Sequence, residues 1–170
     1  MLLVLLKASG IPTVRIALFP GSFDPFTLGH LDILERGLHI FDKVEVTVAV
    51  NSSKKSLFDA EERCALIEAS VSHLDNVSVH SFQGLIADHA RERKAVALLR
   101  GLRQVNDFEY ERPMAAANRT LYPGLETVFL LPAQEYGLVS STIVRDIHRW
   151  GGDVSTFVPA PILEALRSKK

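Results

Sequence analysis

Apolar residues along this chain follow two alternating patterns. In some segments they form short runs rich in β-branched residues, and in others they recur every three or four positions. The runs are typical of buried strands, and the periodic segments are typical of helices that cover a core. The runs predict five strands, at 15–20, 44–50, 77–82, 95–100 and 127–131. The periodic segments predict six helices, at 28–41, 59–74, 85–93, 107–121, 140–150 and 161–168.

The alternation of strands and helices predicts parallel pairing, because a parallel neighbour can be reached only through a long crossover. Strands that are nearly continuous apolar runs indicate helices on both faces of the sheet. We therefore expect an α/β fold: a Rossmann-like, doubly wound, five-stranded parallel sheet in one domain over 14–170. Residues 1–13 are expected to form an extension before this fold. Their apolar run, 2–6, is too short for a signal peptide or a membrane span.

Composition narrows the function mainly by exclusion. The formal net charge is −1, so the chain as a whole does not attract nucleic acid or an anionic membrane. Any phosphate binding must therefore come from local clusters. Cys64 is the single cysteine of the sequence, which excludes an internal disulfide and suggests a reducing, cytoplasmic location.

The segment after the first predicted strand has the features of an anion site. It reads PGSFDPFTLGH over residues 20–30 and leads into a predicted helix. Helix starts attract phosphate through unpaired N–H groups and a positive partial charge. Gly29 removes a side chain where a nucleotide could lie close, and His30 could donate a hydrogen bond to phosphate oxygens. A simple helix cap with an incidental histidine remains an open alternative.

Three further segments follow predicted strands, at 51–56, 100–103 and 136–145. They offer the ammonium group of Lys54, the guanidinium forks of Arg100 and Arg103, and three hydroxyls at 140–142. Each segment also has an alternative without ligand binding. The lysine segment could be a solvated loop, the arginines could form surface salt bridges, and the hydroxyls could cap a helix. Because ligands of parallel sheets bind beyond the carboxyl ends of the strands, the four segments predict one convergent anion site. The sequence contains no cysteine pair, histidine cluster or P-loop, so we expect no protein-held metal.

Two of these segments resemble the hallmark motifs of the nucleotidyltransferase superfamily. TLGH at 27–30 matches T/H-x-G-H, and VSSTIVR at 139–145 matches I-S-S-T/S-x-x-R/K. RGLR at 100–103 and DFEYE at 107–111 narrow the resemblance to the bacterial phosphopantetheine adenylyltransferases. The resemblance extends over about 15–166.

The resemblance implies transfer of AMP from ATP to 4′-phosphopantetheine, which gives dephospho-CoA and pyrophosphate in coenzyme A biosynthesis. His30 would stabilise the transition state of an in-line attack without a covalent intermediate, and Mg²⁺ would accompany ATP. A homohexamer and feedback inhibition by CoA are also implied. The implied ATP contacts are Ser22, Phe23, His30, Gly101, Leu102, Arg103, Glu111, Tyr136, Gly137, Leu138, Val139, Ser140, Ser141 and Thr142. The implied contacts to the acceptor are Ser22, Lys54, Ile86 and Arg100.

Other functions remain open at this stage. Another adenylyl- or cytidylyltransferase, such as a nicotinate-mononucleotide adenylyltransferase, would share both hallmark motifs. A nucleotide-binding regulatory module without turnover is a further alternative, although binding alone does not require both His30 and the hydroxyl run. A nucleic-acid-binding role is disfavoured because no basic stripe accompanies the net charge of −1. One departure from the expected pattern is Pro113, which predicts a kink or a new helix start near Arg112.

Overall fold

Five parallel strands form one sheet in the computed structural model, which describes residues 14–50 and 56–169. The strands are β1 (Ile16–Gly21), β2 (Lys43–Ala49), β3 (Val77–Phe82), β4 (Ala97–Gly101) and β5 (Glu126–Leu130). Their order is β3-β2-β1-β4-β5, and every neighbouring pair is parallel. The chain thus moves outward from β1 in both directions, which is the doubly wound arrangement predicted from the sequence.

Six α-helices accompany the sheet within the described residues, and each overlaps a predicted helical segment. They are α1 (Leu28–Leu38), α2 (Ala60–Ser70), α3 (Ile86–Glu92), α4 (Val105–Leu121), α5 (Ser141–Arg149) and α6 (Ala160–Ser168). A short 3-10 helix, Gln134–Tyr136, follows β5. The start of α2 is fixed by a capping box, in which Asp59 and Glu62 each accept the other's backbone N–H at 2.8 Å.

Helices cover both faces of the sheet, as the nearly continuous apolar runs of the strands predicted. On one face, Val44 and Val46 of β2 belong to a large core that includes Leu34 of α1, Ile67 of α2 and Ile162 of α6. On the other face, a smaller core consists of Leu18, Ala90, Ala95, Leu98 and Leu125. Because both faces are buried, the loops at the carboxyl edge of the sheet are left to form the ligand site.

Helix α4 runs through Pro113, so the new helix start expected near Arg112 does not occur. The helix begins two turns earlier, where the Asp107 carboxylate accepts the backbone N–H groups of Arg103 at 2.8 Å and Gln104 at 3.2 Å. Proline removes the donor for the carbonyl four residues back, which belongs to Glu109. Glu109 is exposed, so water can hydrate that carbonyl and the helix continues.

Two expectations lie outside the described residues. They are the extension at residues 1–13 and the position of Lys54. Within 14–50 and 56–169, none of the helices is both long enough and apolar enough to cross a membrane.

Candidate active site

The loops after β1, β4 and β5 meet at the carboxyl edge of the sheet and enclose a cavity of about 540 Å³. The structure therefore brings three of the four predicted segments together. The fourth segment, after β2, reaches the same cavity through Ser56, and the rest of it, 51–55, lies outside the described residues. The residues of the implied ligand contacts that line the cavity are Ser22, Phe23, His30, Arg100, Gly101, Arg103, Glu111, Tyr136, Val139, Ser140, Ser141 and Thr142.

The imidazole of His30 is both a helix cap and part of the cavity wall. Its Nδ1 accepts the backbone N–H of Thr27 at 3.0 Å, so the neutral ring carries its proton on Nε2. Burial, together with the positive charges of Arg103 and Arg100, lowers the pKa of His30 to about 3. The ring is therefore neutral near pH 7, and its Nε2–H has no partner among the described residues. It can act as a single hydrogen-bond donor to a ligand.

Aromatic rings surround His30 and limit its rotation. The Phe23 ring lies edge-on to the imidazole with the ring centroids 5.1 Å apart, and the Phe26 ring lies at 5.5 Å. Both phenylalanine side chains are buried. Phe23 therefore supports His30 with its ring rather than presenting that ring to solvent.

The two arginines at the carboxyl end of β4, Arg100 within the strand and Arg103 after it, both line the cavity and both have carboxylate partners. Arg100 Nε donates to Glu111 Oε2 at 2.9 Å, and the same guanidinium also donates to the other Glu111 oxygen and to the Pro20 carbonyl. Arg103 Nε lies 3.5 Å from Asp107 Oδ2. The salt bridges considered as an alternative therefore exist, but within the cavity wall rather than on an unrelated surface. A phosphate that binds Arg100 must compete with Glu111 for it.

The three hydroxyls at the start of α5 have different partners. Ser140 Oγ accepts a backbone N–H of the first helical turn at 3.2 Å. Ser141 Oγ donates to the Pro25 carbonyl at 2.8 Å, and Thr142 Oγ1 accepts from Arg145 at 3.2 Å. Only the first is a helix cap. Ser141 fastens α5 against the β1 loop, whereas the Thr142 bond lies within α5, and the positive end of the helix lies at the cavity.

A second groove of about 180 Å³ adjoins the cavity. The two share Pro20, Arg100, Tyr110 and Glu111, so the Arg100–Glu111 pair lies at the junction between them. The remaining lining is largely apolar, with one amide, and consists of Ile86, Leu98, Met114, Ala115, Asn118 and Thr127. The site can thus accept a ligand with a charged head in the cavity and a mainly apolar, amide-bearing arm in the groove.

Comparisons with known proteins identify the family of the chain. A family model described as cytidylyltransferase-like matches residues 18–147. The phosphopantetheine adenylyltransferase of Thermosynechococcus vestitus is 48% identical over 153 residues, which are 90% of this chain and 91% of that protein. The phosphopantetheine adenylyltransferase of a Synechocystis strain is 52% identical over 148 residues, 87% of this chain and 93% of that protein. The chain belongs to the phosphopantetheine adenylyltransferase family.

Solved structures of lower identity share the fold. A bifunctional NMN adenylyltransferase/ADP ribose pyrophosphatase from Francisella tularensis, in complex with AMP and a manganese ion, has a TM-score of 0.67 and 16% identity. The match covers 91% of this chain and 48% of that chain. A candidate nicotinate-nucleotide adenylyltransferase from Vibrio parahaemolyticus has a TM-score of 0.67 and 22% identity, covering 90% of this chain and 91% of that one. These similarities support the Rossmann-like fold of the family.

Some residues implied by the family resemblance lie outside the cavity wall. Leu102 is buried and donates its backbone N–H to Leu130 at 2.9 Å. Leu138 is 77% exposed, and Gly137 caps the 3-10 helix. Ile86 lines the second groove instead. Direct ligand contacts by Leu102, Gly137 and Leu138 stay predictions.

The structure also adds residues that the sequence reasoning did not assign. Arg145 lines the main cavity, and its position within the second hallmark motif was a signal that could have identified it. Met114 and Asn118 join Glu111 at the groove, and their helical spacing on α4 was a weaker signal. Asp24 lines the cavity too, but its buried hydrogen bonds connect segments far apart in the sequence and could not be foreseen.

Proposed function

We propose that this chain transfers the adenylyl group of ATP to 4′-phosphopantetheine, giving dephospho-CoA and pyrophosphate. The identity of about half of the residues with two phosphopantetheine adenylyltransferases supports the choice of substrates. The single observation that carries the proposal is the junction at Arg100. There, a cavity with several cationic groups meets a groove with apolar walls.

The reaction needs positioning and charge stabilisation more than acid–base chemistry. A phosphate oxygen of the acceptor attacks the α-phosphorus of ATP, a new P–O bond forms, and the bond to the β-phosphate oxygen breaks. Pyrophosphate leaves with the electron pair of that bond. The acceptor phosphate is already anionic near neutral pH, so no general base is required. The barrier comes from bringing two anions together and from charge on the α-phosphate.

His30 is the residue proposed to stabilise that charge. A neutral imidazole whose Nδ1 is occupied by Thr27 presents one oriented Nε2–H, and the aromatic contacts hold it in place. Arg103, Arg145 and the start of α5 would hold the phosphates of ATP in the same cavity. A preorganised donor of this kind costs no reorganisation at the moment of reaction.

The acceptor would lie across the junction between the cavity and the groove. Its phosphate would bind Arg100, together with Lys54 as the sequence predicts, and Ser22 would lie near both substrates. Its pantetheine arm would follow the groove beside Ile86 and Met114, where Asn118 offers an amide to the amides of the arm. Glu111 would have to release or share Arg100 when the phosphate arrives.

Mg²⁺ is proposed to arrive with ATP rather than to be held by a protein cage. The described residues contain no group of three or more histidine, cysteine or carboxylate side chains placed to bind a metal. The carboxylates of Glu111 and Asp107 at the cavity are both engaged by arginines. A cation held mainly by phosphate oxygens and water fits this donor set, because Mg²⁺ usually keeps several waters. It would offset negative charge on the triphosphate.

Three further properties form part of the proposal: a cytoplasmic location, a homohexameric assembly and inhibition by CoA. CoA contains the pantetheine arm together with an adenine nucleotide, so it can occupy the groove and the cavity at once. Exposed apolar side chains on α4, including Val105, Phe108 and Met114, support an assembly in which this helix is covered.

The decisive experiment measures pyrophosphate release from ATP and 4′-phosphopantetheine. His30→Ala should lower kcat by about 10²–10³ while the Kd for ATP changes little, because the lost donor acts mainly on the transition state. His39→Ala, on an exposed side chain at the end of the same helix, is the matched control and should keep full activity. A His30→Ala enzyme with normal turnover would refute the role of His30.

The alternatives are separated by the same assay with other acceptors. Pyrophosphate release with nicotinate mononucleotide, and none with 4′-phosphopantetheine, would identify a different transferase. ATP binding without turnover on any acceptor would identify a regulatory module.

A further inference from the structure

One face of α1 packs against the chain that follows β5. Gly29, Asp32 and Arg36 are spaced by three and four positions, so they lie on the same face of the helix. Their contacts are with residues 131–136, called here the β5 connection, which leave β5 and end with the 3-10 helix. His30 directly follows Gly29, so the helix that carries His30 also holds this connection.

Hydrogen bonds from α1 hold the β5 connection at two points. Asp32 Oδ2 accepts, at 3.0 Å, the backbone N–H of Ala133, the residue before the 3-10 helix. The Arg36 guanidinium donates one bond to the Leu131 carbonyl and another to Asp32 Oδ2 at 3.3 Å. The two side chains therefore act on the connection together, and a single carboxylate oxygen accepts both hydrogen bonds of Asp32.

At the far end of the β5 connection, Tyr136 packs directly on the backbone of α1. A methyl group at Gly29 would lie 3.5 Å from Tyr136 Cβ and 3.6 Å from the Tyr136 carbonyl oxygen, which is ordinary van der Waals contact. Tyr136 and Pro132 both line the cavity, whereas Asp32 and Arg36 do not. The two charged side chains thus hold a part of the cavity wall without reaching the cavity themselves.

The described residues offer few other contacts that could hold the β5 connection in place. After Ala133, the next backbone group that a side chain binds is the Val139 carbonyl, which accepts from Arg103 at 3.2 Å. The bonds between these two points are local, such as that from the Tyr136 N–H to the Ala133 carbonyl at 2.9 Å. The position of the connection therefore depends on its bonds to α1.

We propose that Asp32 and Arg36 are positioning residues that hold the β5 connection, as a wall of the ATP site, in a fixed place relative to His30. This proposal rests on the proposed function in one respect, which is that ATP is the ligand of the cavity. Neither side chain needs to touch the reacting atoms. Because the connection leads into the hydroxyls at the start of α5, its displacement should weaken ATP binding.

The test measures ATP binding to the free enzyme by calorimetry. Asp32→Ala leaves the Ala133 N–H without its acceptor, and Arg36→Met keeps much of the side-chain volume but removes every donor. We expect the Kd for ATP to rise about tenfold in each variant, since each loses hydrogen bonds that involve a charged group. Asp32→Asn should stay within about threefold of wild type, because an amide oxygen can replace Oδ2 and accept both bonds. Arg36 is exposed, so Arg36→Met should fold even if Asp32→Ala does not.

The opposite charges of Asp32 and Arg36 separate positioning from direct electrostatics. Asp32→Ala removes a negative charge, which by itself would favour binding of the ATP polyanion. Arg36→Met removes a positive charge, which by itself would disfavour it. Displacement of the β5 connection weakens ATP binding in both variants. A Kd for ATP that falls in Asp32→Ala and rises in Arg36→Met would therefore overturn the proposal.

Glu35→Ala is the matched control on the same helix. Glu35 lies 3.4 Å from His73 Nε2, and none of its hydrogen bonds reaches the β5 connection. Burial is the largest cause of the raised pKa of the Tyr136 hydroxyl, and the charges of both Asp32 and Glu35 also raise it. Glu35→Ala therefore removes a comparable charge without removing a bond to the connection. Its Kd for ATP should stay within about twofold of wild type.

Binding of 4′-phosphopantetheine distinguishes a local effect from a general one. The groove shares no lining residue with α1 or with the β5 connection, so the Kd for this acceptor should change little in Asp32→Ala and Arg36→Met. Equal losses for ATP and the acceptor would overturn the proposal. A lower urea midpoint of Asp32→Ala with an unchanged Kd for ATP would overturn it too, because that is the result of a purely structural role.

Failure of the proposed function would give a different result. Wild-type protein that binds ATP but releases no pyrophosphate with 4′-phosphopantetheine would refute the transfer reaction. The ATP measurements in Asp32→Ala, Arg36→Met and Glu35→Ala would still decide whether the two side chains position the ATP site. Wild-type protein that binds no ATP would refute both proposals.

Discussion

Histidines away from the cavity form a second buried polar cluster. His80 of β3 and His89 of α3 face each other with their Nε2 atoms 2.7 Å apart, and His89 stacks on Phe82 with ring centroids at 4.1 Å. At this distance the pair can hold one proton between the two Nε2 atoms but not two. Burial lowers the pKa of both side chains. The charge of His89 lowers the pKa of His80 further, and the charge of Arg93 lowers the pKa of His89 further.

The charged groups around the pair come from two elements. Lys43 and Glu45 lie on β2, and Glu92 and Arg93 lie at the end of α3. Burial raises the pKa of Glu45, but hydrogen bonds from Arg93 and Lys43 outweigh this effect and hold it at about 2. Glu45 therefore stays ionised while the histidines titrate. Protonation of the histidines and protonation of Glu45 occur in different pH ranges.

Acid should destabilise the protein through the histidines with lowered pKa values, which are His30 and this pair, before it affects the carboxylates. Their pKa values are lowered in the folded state, so the unfolded chain binds protons first, below its ordinary histidine pKa of about 6.5. The stability contributed by the neutral pair is complete above that pH and is lost as the pH falls. We expect the free energy of unfolding in urea to be smaller at about pH 5.5 than at about pH 7.5.

His89→Phe tests whether this pair is responsible. Phenylalanine keeps the stacking on Phe82 and removes one titrating group, so the difference in stability between the two pH values should shrink. An unchanged pH dependence in His89→Phe would contradict the assignment.

At the scale of elements, α4 carries residues of the candidate site although its sequence contains a proline that disfavours a helix. It carries Glu111 at the cavity, Met114 and Asn118 at the groove, and Pro113 in its interior. Proline there leaves the Glu109 carbonyl without an intrahelical donor. The helix persists because its start is fixed by Asp107 and because Asn118 is buried at the far end.

Pro113→Ala should therefore stabilise the protein. The change restores a donor within the helix, and we expect the free energy of unfolding to rise by about 1–3 kcal/mol in urea titrations. Arg112→Ala, at an exposed neighbouring position, is the control and should change stability by less than about 0.5 kcal/mol. A lower urea midpoint for Pro113→Ala would mean that proline fits this position better than alanine does.

At the scale of the whole molecule, α4, which packs against the edge strand β5, carries exposed apolar side chains. Val105 and Leu121 of α4 are 78% and 48% exposed. Edge strands and uncovered apolar helices are surfaces that proteins usually cover with another chain. The proposed homohexamer would cover them with further copies of this chain.

Light scattering coupled to size exclusion should give a mass about six times the 18.8 kDa of the chain. Val105→Asp combined with Leu121→Asp should yield smaller species, because burying a carboxylate at an apolar interface is costly. Val14→Asp, on an exposed apolar residue before β1, should leave the mass unchanged. A monomeric wild-type protein would contradict the hexamer, and an unchanged mass in the double variant would exclude α4 as its interface.

The sequence by itself determined the order and type of the elements, because apolar periodicity is a local property that each segment carries. The parallel sheet followed from the alternation of strands and helices. The location of the candidate site followed as well, since ligand loops of such a sheet lie at its carboxyl edge. The hallmark motifs around His30 and Ser140 then indicated the family.

Only the tertiary structure decided how the side chains of the site are paired. The bond of Thr27 to His30 fixes the donor nitrogen, Glu111 holds Arg100, and Asp24 reaches Leu57 across 33 positions of the chain. The tertiary structure likewise decided that α4 continues through Pro113. These outcomes depend on which segments pack together in three dimensions, and burial and hydrogen-bond geometry between distant segments are not encoded in any local pattern.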